Sequence, residues 1–447
     1  MYIIQELEAY LICFSAFRSH FPKFFRNFSE ILSIFTTIVV NKAKLSASTA
    51  SGPDRKLYCN FCSMLPILQP ISSQLRRYAF LLMAVVTLSG CADFGYLLQS
   101  VNGHLALMRA ASPIDDLRGE ALTAPALKSR LELAQRMRRF AVTDLGLPDN
   151  ASYTRYADLQ RRAVVWNVVA APALSLMVKT WCFPVTGCVG YRGYFEEAEA
   201  QVLAGELRAQ GLEVSVYGVP AYSTLGWLNW AGGDPVLNTF IHYPEGELAR
   251  LIFHELAHQV AFAKNDTTFN ESFATAVERL GGTRWLAQQG SAAGNAEFNA
   301  SSQRRSQFRA LALETRSALK AIYREPAPDV GDNHEIGTMK HVAYQHFRLQ
   351  YAKLRAQWVA SANLTPEAAL RQLGGYDAWV ANANNASFGA QAAYDDLVPD
   401  FEKLFENIAR RPGSPWQQFY DAVRRIAALP APERLRALKN PADAGIH

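Results

Sequence analysis

The sequence predicts a mostly helical α+β fold with a small sheet beside one buried helix. Three observations carry this. From residue 91 onward, apolar residues recur near the 3.6 spacing of a helix over most of the chain. Two short runs, 212–217 and 236–243, alternate like strands and are set off by Pro and Gly-Gly. Of the 447 residues, 49% are hydrophobic and 19% charged, which supports a sizeable core and excludes a disordered, fibrous or multi-span membrane chain.

The N-terminal part is chemically separate. Residues 1–90 hold nine Lys/Arg against four Asp/Glu, whereas the remainder holds 36 of each sign. The net charge of +5 therefore belongs to the first 90 residues, and no basic domain points to nucleic acid. Residues 76–91 read RRYAFLLMAVVTLSGC: two positive charges, a short apolar run, then small residues before Cys91. That is the pattern of a signal peptide rather than of a spanning helix. Leu-Ser-Gly-Cys resembles a bacterial lipobox, which implies that Cys91 is lipidated and anchors the chain to the cell envelope, facing the periplasm. The rival is an apolar N-terminal helix with an incidental Cys. Met64 starts a signal peptide of ordinary length over 64–90, so 1–63 reads as an over-extended start without a fold. The short apolar run 31–40 in it is too short to span a bilayer.

The expected mature chain then divides into a helical N-terminal region (91–180), an αβ segment with the chemically interesting helices (181–285) and a helical C-terminal region (286–447). The tail after Pro430 is polar and reads as frayed. Cys182 and Cys188 are the only cysteines of this part besides Cys91. In an exported chain they read as a disulfide, with paired metal ligands as the rival.

Residues 253–258 read FHELAH. His254 and His258, four apart on a helix, project from one face. That spacing lets two imidazoles hold one Zn²⁺ at about 2.0–2.1 Å, with Glu255 placed to act on water as general base. Leu248, Leu251, Ile252, Leu256 and Val260 make the helix apolar nearly all round, so both His are buried groups that need partners. The rival is a pair of satisfied core histidines. The next helix, FNESFATAVERLGG over 269–282, presents Glu271, Ala274, Thr275 and Glu278 on one face, and Gly281-Gly282 reads as its stop. A short polar turn joins the two helices, which favours side-by-side packing and can bring Glu271 to the metal. Glu271 can equally serve as a carboxylate at a helix N-terminus.

HELAHQ followed by NESFATAVE resembles the gluzincin metallopeptidases, closest to zinc aminopeptidases with HExxHQ and then NExFA. The match spans 254–278. It implies one Zn²⁺ per chain held by His254, His258 and Glu271, Glu255 as catalytic base, and Glu278 as an acid behind the ligands. Twelve residues separate His258 from Glu271, against about eighteen in those aminopeptidases, and the Gly-x-Met-x-Asn segment that binds a substrate amine is missing. The wider chain, with YRGYF and YDDLVPDFE, resembles a bacterial family of lipid-anchored zinc-aminopeptidase lipoproteins. The resemblance implies hydrolysis of peptides by a metal-activated water. Tyr394, Tyr191 and Tyr194 are candidate donors to the oxyanion, with Tyr394 the first choice. Asn238 and Thr239, on the expected edge strand, are candidates to line the substrate cleft. Asp234 is a candidate for a substrate amine or an ordinary turn residue. A second functional class is a catalytically silent, lipid-anchored scaffold with structural zinc. An intact Glu255 speaks for the enzyme, because a structural ion has no use for a base.

Overall fold

The computed structural model describes residues 91–183, 187–221, 223–224, 226, 229, 232–323, 333–395 and 397–441. The expected start segment (1–63) and signal peptide (64–90) lie outside the described residues. The described chain divides between Val101 and Asn102. The first unit contributes only the opening of helix α1 (Cys91–Ala110), where Ser100 Oγ donates to the Tyr96 carbonyl at 2.7 Å. Cys91 begins this helix, and its side chain lies outside the described residues. No described helix is long and apolar enough to cross a membrane.

The second unit begins with β1 (Ala111–Pro113), α2 (Ile114–Gly119), α3 (Pro125–Thr143), β2 (Arg155–Ala157) and β3 (Val165–Pro172). There follow a hairpin of β4 (Trp181–Phe183) and β5 (Gly187–Val189), then β6 (Arg192–Tyr194), α4 (Glu197–Ala209), β7 (Leu212–Val219) and β8 (Val236–Leu237). Helices fill the rest: α5 (Glu245–Ala257), α6 (Thr267–Gln289), α7 (Ala292–Tyr323), α8 (Asn333–Ser361), α9 (Pro366–Ala381) and α10 (Asn385–Asp395). The last three are α11 (Val398–Ala409), α12 (Pro415–Ala427) and α13 (Ala431–Lys439). The protein is thus mostly helical with small sheets, as the periodicity predicts.

The main sheet has the order β6-β3-β7, and β3 pairs with β7 antiparallel along its whole length, from Val165↔Val219 to Pro172↔Leu212. This corrects the reading of 91–180 as a helical region. VWNVVAAP is a β-branched run buried on both faces, with Val168, Ala170 and Ala171 all at 0% exposure. Such a run carries no period-2 signature and is easily lost among helical neighbours. It also means that a division at residue 180 cuts through one sheet. Alternation sorts the sheet's two faces. Val169 and Ala171 pack with Ala386 of α10, alongside Tyr191 and Tyr217. Asn167 pairs with Tyr217 on that face, while Tyr194 pairs with Trp166 on the opposite one.

A second sheet, β1-β2-β8, leads directly into α5. Only Val236 and Leu237 of the expected 236–243 strand pair in it, parallel to β2. The amides of Phe240 and Ile241 turn back to the Leu237 carbonyl at 3.2 and 3.0 Å, so the remainder is a tight turn.

α5 and α6 pack side by side. Gly281 and Gly282 do not end α6, which runs on to Gln289. Both are buried at the contact: a Cβ on Gly281 would come within 2.7 Å of Leu145 Cδ1, and one on Gly282 within 2.9 Å of Arg250 Cγ. Close approach to α3's following loop and to α5 is their role, and tertiary packing overrides their low helix propensity. The start of α6 is fixed by Asp266, whose carboxylate accepts from the Phe269 amide at 2.9 Å. Asn270 closes the inter-helix loop by pairing with both the amide and carbonyl of Ala263, at 2.7 and 2.9 Å. Among the described residues, the chain after Pro430 is not frayed but continues as α13. α13 buries Arg434, which bonds Asp266 Oδ2 at 2.5 Å and lies 5.4 Å over the Phe269 ring. Helices α7, α8, α9 and α10 share an aromatic core around Phe308, Phe347, Trp358 and Phe388.

Candidate metal centre

Leu248, Ile252, Phe253 and Leu256 anchor α5 in the core at no more than 1% exposure, which leaves one face for His254 and His258. The two rings meet edge to face, 4.8 Å between centroids. Their Nε2 atoms stand 3.1 Å apart. Glu271 Oε2, from α6, is 3.4 Å from His254 Nε2 and 3.7 Å from His258 Nε2. The Asn270 clamp on Ala263 lets the short spacer bring Glu271 here. Among the described residues this is the one group of three or more His, Cys, Asp or Glu whose ligand atoms converge within 4.8 Å.

The donor set fits zinc. Arms of about 2.0–2.1 Å at tetrahedral angles give ligand-to-ligand edges of about 3.4 Å, and the three separations bracket that value. The tautomers agree. His254 Nδ1 lies 2.9 Å from Glu278 Oε2 and donates its N–H there, which leaves Nε2 as the atom facing His258 and Glu271. Two imidazole nitrogens do not face each other at 3.1 Å unless a proton or a cation lies between them. His258 Nδ1 is buried without a hydrogen-bond partner, an uncommon state for a ligand imidazole.

The charges are shifted accordingly. Burial opposes protonation of His254, but Glu271 and Glu278 together raise it well above the usual imidazole value. Burial drags His258 down to about 3. Burial would raise Glu271, yet the two imidazoles hold it below the usual carboxylate range. Glu278 is likewise held far down, against its burial, by Arg250 and His254. Glu255 moves the other way. Burial pushes it up to about 7 in spite of His254, and its Oε2 is buried with no hydrogen-bond partner.

The remaining expected residues separate. Asn238 Oδ1 accepts from the Leu159 amide at 2.9 Å and its Nδ2 donates to the Arg161 carbonyl at 3.1 Å; Thr239 Oγ1 donates to the Pro220 carbonyl at 2.5 Å. Both tie loops together from a turn, so the expectation of an edge strand at these two positions is corrected. Asp234 is 3% exposed and accepts from the Thr224 amide and the Ser223 hydroxyl at 3.1 and 3.3 Å. Burial outweighs these donors and pushes it up to about 6. Its oxygens are committed to the turn rather than open to a substrate amine. Tyr194 shares the sheet face of Trp166, away from Asn167, Tyr217 and Tyr191. The side chain of Tyr394 lies outside the described residues. Cys182 and Cys188 face each other across β4 and β5 and are joined as a disulfide, so neither thiol serves a metal.

Three contributors are not legible as site residues in the sequence. Tyr217 is one: burial raises its phenol, a hydrogen bond with Asn167 opposes the rise, and the charge of Glu271 adds to it. Tyr153 is another, buried at φ +63° with its amide 2.6 Å from the Asp234 carbonyl. After burial, the charge of Glu255 is the main influence raising its phenol. A bulky residue in the left-handed region signals local strain. The third is Gln259, directly after His258, which accepts from Asn150 Nδ2 at 2.6 Å and donates to Ser152 Oγ at 3.1 Å, tying the Tyr153 loop to the end of α5. Only the Q of HELAHQ marks any of them in advance.

Among curated proteins and solved structures, none matches the chain. The model of a family described as putative aminopeptidase matches residues 95–438. That span is well over half of the 447 residues, and the chain belongs to that family.

Proposed function

We propose that the protein is a zinc-dependent peptidase of gluzincin type, acting on peptides as an aminopeptidase. The observation that carries this is the meeting of His254, His258 and Glu271 at tetrahedral spacing beside a carboxylate, Glu255, that has an unpaired buried oxygen. Zinc held there supplies Lewis-acid polarisation of the scissile carbonyl and acidifies water. Glu255, with its affinity for protons raised toward neutrality, takes a proton from the attacking water and hands it to the leaving amine. Glu278 fixes the His254 ring from behind. An ion bound only for stability would leave Glu255 without a task. The lipobox-like sequence at Cys91 supports attachment to the bacterial envelope on the periplasmic side.

The test is metal analysis of the purified protein followed by digestion of a peptide library. One zinc per chain with release of N-terminal residues is expected. Stoichiometric zinc without any peptide cleavage would leave the scaffold reading in its place, and internal cleavage alone would remove the aminopeptidase assignment.

A further inference from the structure

Behind the ligands lies a buried charge whose role the zinc reading does not use. Arg250, one turn before His254 on α5, is 6% exposed. Its Nε donates to Glu278 Oε1 at 3.1 Å, and its Nη2 donates to the same oxygen. The other oxygen of that carboxylate, Oε2, receives His254 Nδ1–H at 2.9 Å. Glu278 therefore has one oxygen spoken for by Arg250 and one by His254, and a carboxylate held at both ends cannot rotate without losing a partner. The guanidinium lies 5.7 Å over the Phe298 ring. Its stem passes over Gly282, where a Cβ would come within 2.9 Å of Arg250 Cγ. The glycine thus leaves the slot through which the arginine reaches Glu278.

We propose that Arg250 is a positioning residue of the metal centre, which sets the Glu278 carboxylate and through it the orientation of the His254 ring, with Gly282 providing the slot. The inference rests on the zinc reading. Arg250 touches no ligand atom itself. Removing the arginine's fork frees Glu278 to turn, His254 loses its fixed hydrogen bond, and the Nε2 lone pair is no longer aimed. Outer partners of this kind are typically worth about 10–100-fold in metal affinity. Lysine keeps the charge but lacks the planar fork, so it does not replace arginine here.

The experiment titrates the full-length metal-free protein with zinc against a chromogenic chelator, and records the visible spectrum of the cobalt-substituted form. Arg250→Lys is expected to weaken zinc about 10-fold or more and to alter the cobalt spectrum, with circular dichroism unchanged. Gly282→Ala, which presses on the arginine alone, is expected to move both readouts in the same direction. In a Glu278→Gln background, Arg250→Lys should add nothing further. Native zinc affinity in both Arg250→Lys and Gly282→Ala would overturn the proposal. So would a loss that adds in full to that of Glu278→Gln, since the arginine would then act by another route. If the unaltered protein binds no zinc, the metal reading itself has failed, which is a separate result.

Discussion

Two parts of this molecule are buried to opposite ends. Around α7, α8, α9 and α10 the interior is aromatic: Phe308, Phe347, Tyr351, Trp358, Trp379 and Phe388 stack edge to face at 5.2–6.3 Å, and the buried Asn385 accepts from the Tyr323 and Tyr344 hydroxyls. Between α5 and α6 the interior is ionic, with Arg250, His254, His258, Glu271 and Glu278 crowded among apolar neighbours. The first kind of interior stabilises by removing area from water. The second pays desolvation for charges that are worth little as stability on their own. Such a cluster persists because its geometry is imposed from outside, by the Asn270 loop clamp, the Asp266 cap and the glycines of α6. Substitutions should therefore separate: in the aromatic region they cost folding, and in the ionic region they cost chemistry.

The largest test is Glu255→Gln. It should lower peptide hydrolysis by about 10²–10⁴-fold while zinc content and melting temperature stay near native values. Expulsion of zinc by that change would place Glu255 among the ligands and erase the distinction. The counterpart is Phe347→Ala, at 0% exposure in the aromatic core. About 3–5 kcal/mol of stability should be lost, read by urea unfolding, with turnover per folded molecule unchanged.

Asp234 sharpens the contrast by pH. Its folded value, about 6, lies above the ordinary 3.8. The folded state holds the proton more tightly, so this group's contribution is full below about pH 4 and is lost as pH rises through 6. The whole difference is on the order of 3 kcal/mol. In Asp234→Asn, stability measured at pH 4 and at pH 6.5 should differ by less than in the native protein. An unaltered difference would show that the buried carboxylate does not govern this slope. The smallest expected effect is Asp266→Ala, which removes the cap of α6 and the partner of Arg434. About 1–2 kcal/mol should be lost, with zinc affinity falling alongside. A loss of stability with untouched zinc affinity would detach the cap from the site.

Local chemistry made much of this readable in advance. The 3.6 period shows the helices, and the i, i+4 spacing of His254 and His258 alone puts two imidazoles on one face. What stayed hidden depends on neighbours distant in sequence. β3 is buried on both faces because helices, α4 and α10 among them, pack against the sheet it centres, so VWNVVAAP shows no alternation. Gly281-Gly282 carries the signature of a helix stop, and only the packing of Arg250, Phe253 and Leu145 against it gives the pair its actual role. The tail reads as frayed in sequence because the partner that orders Arg434, Asp266, lies 168 residues earlier. Tyr217 becomes relevant only through the register of β3 and β7.

The contact of Arg434 with Asp266 sets an order of events during synthesis. The two histidines and Glu271 leave the ribosome long before Arg434, yet the helix that carries Glu271 has its first turn pinned by that arginine. A nascent chain therefore holds all three side chains while lacking the strap that fixes one of them. Truncation after α12 would leave a polypeptide with an intact motif and a loosened third arm. Helix α13 is thus a strap added late in synthesis to the first turn of the helix that carries Glu271.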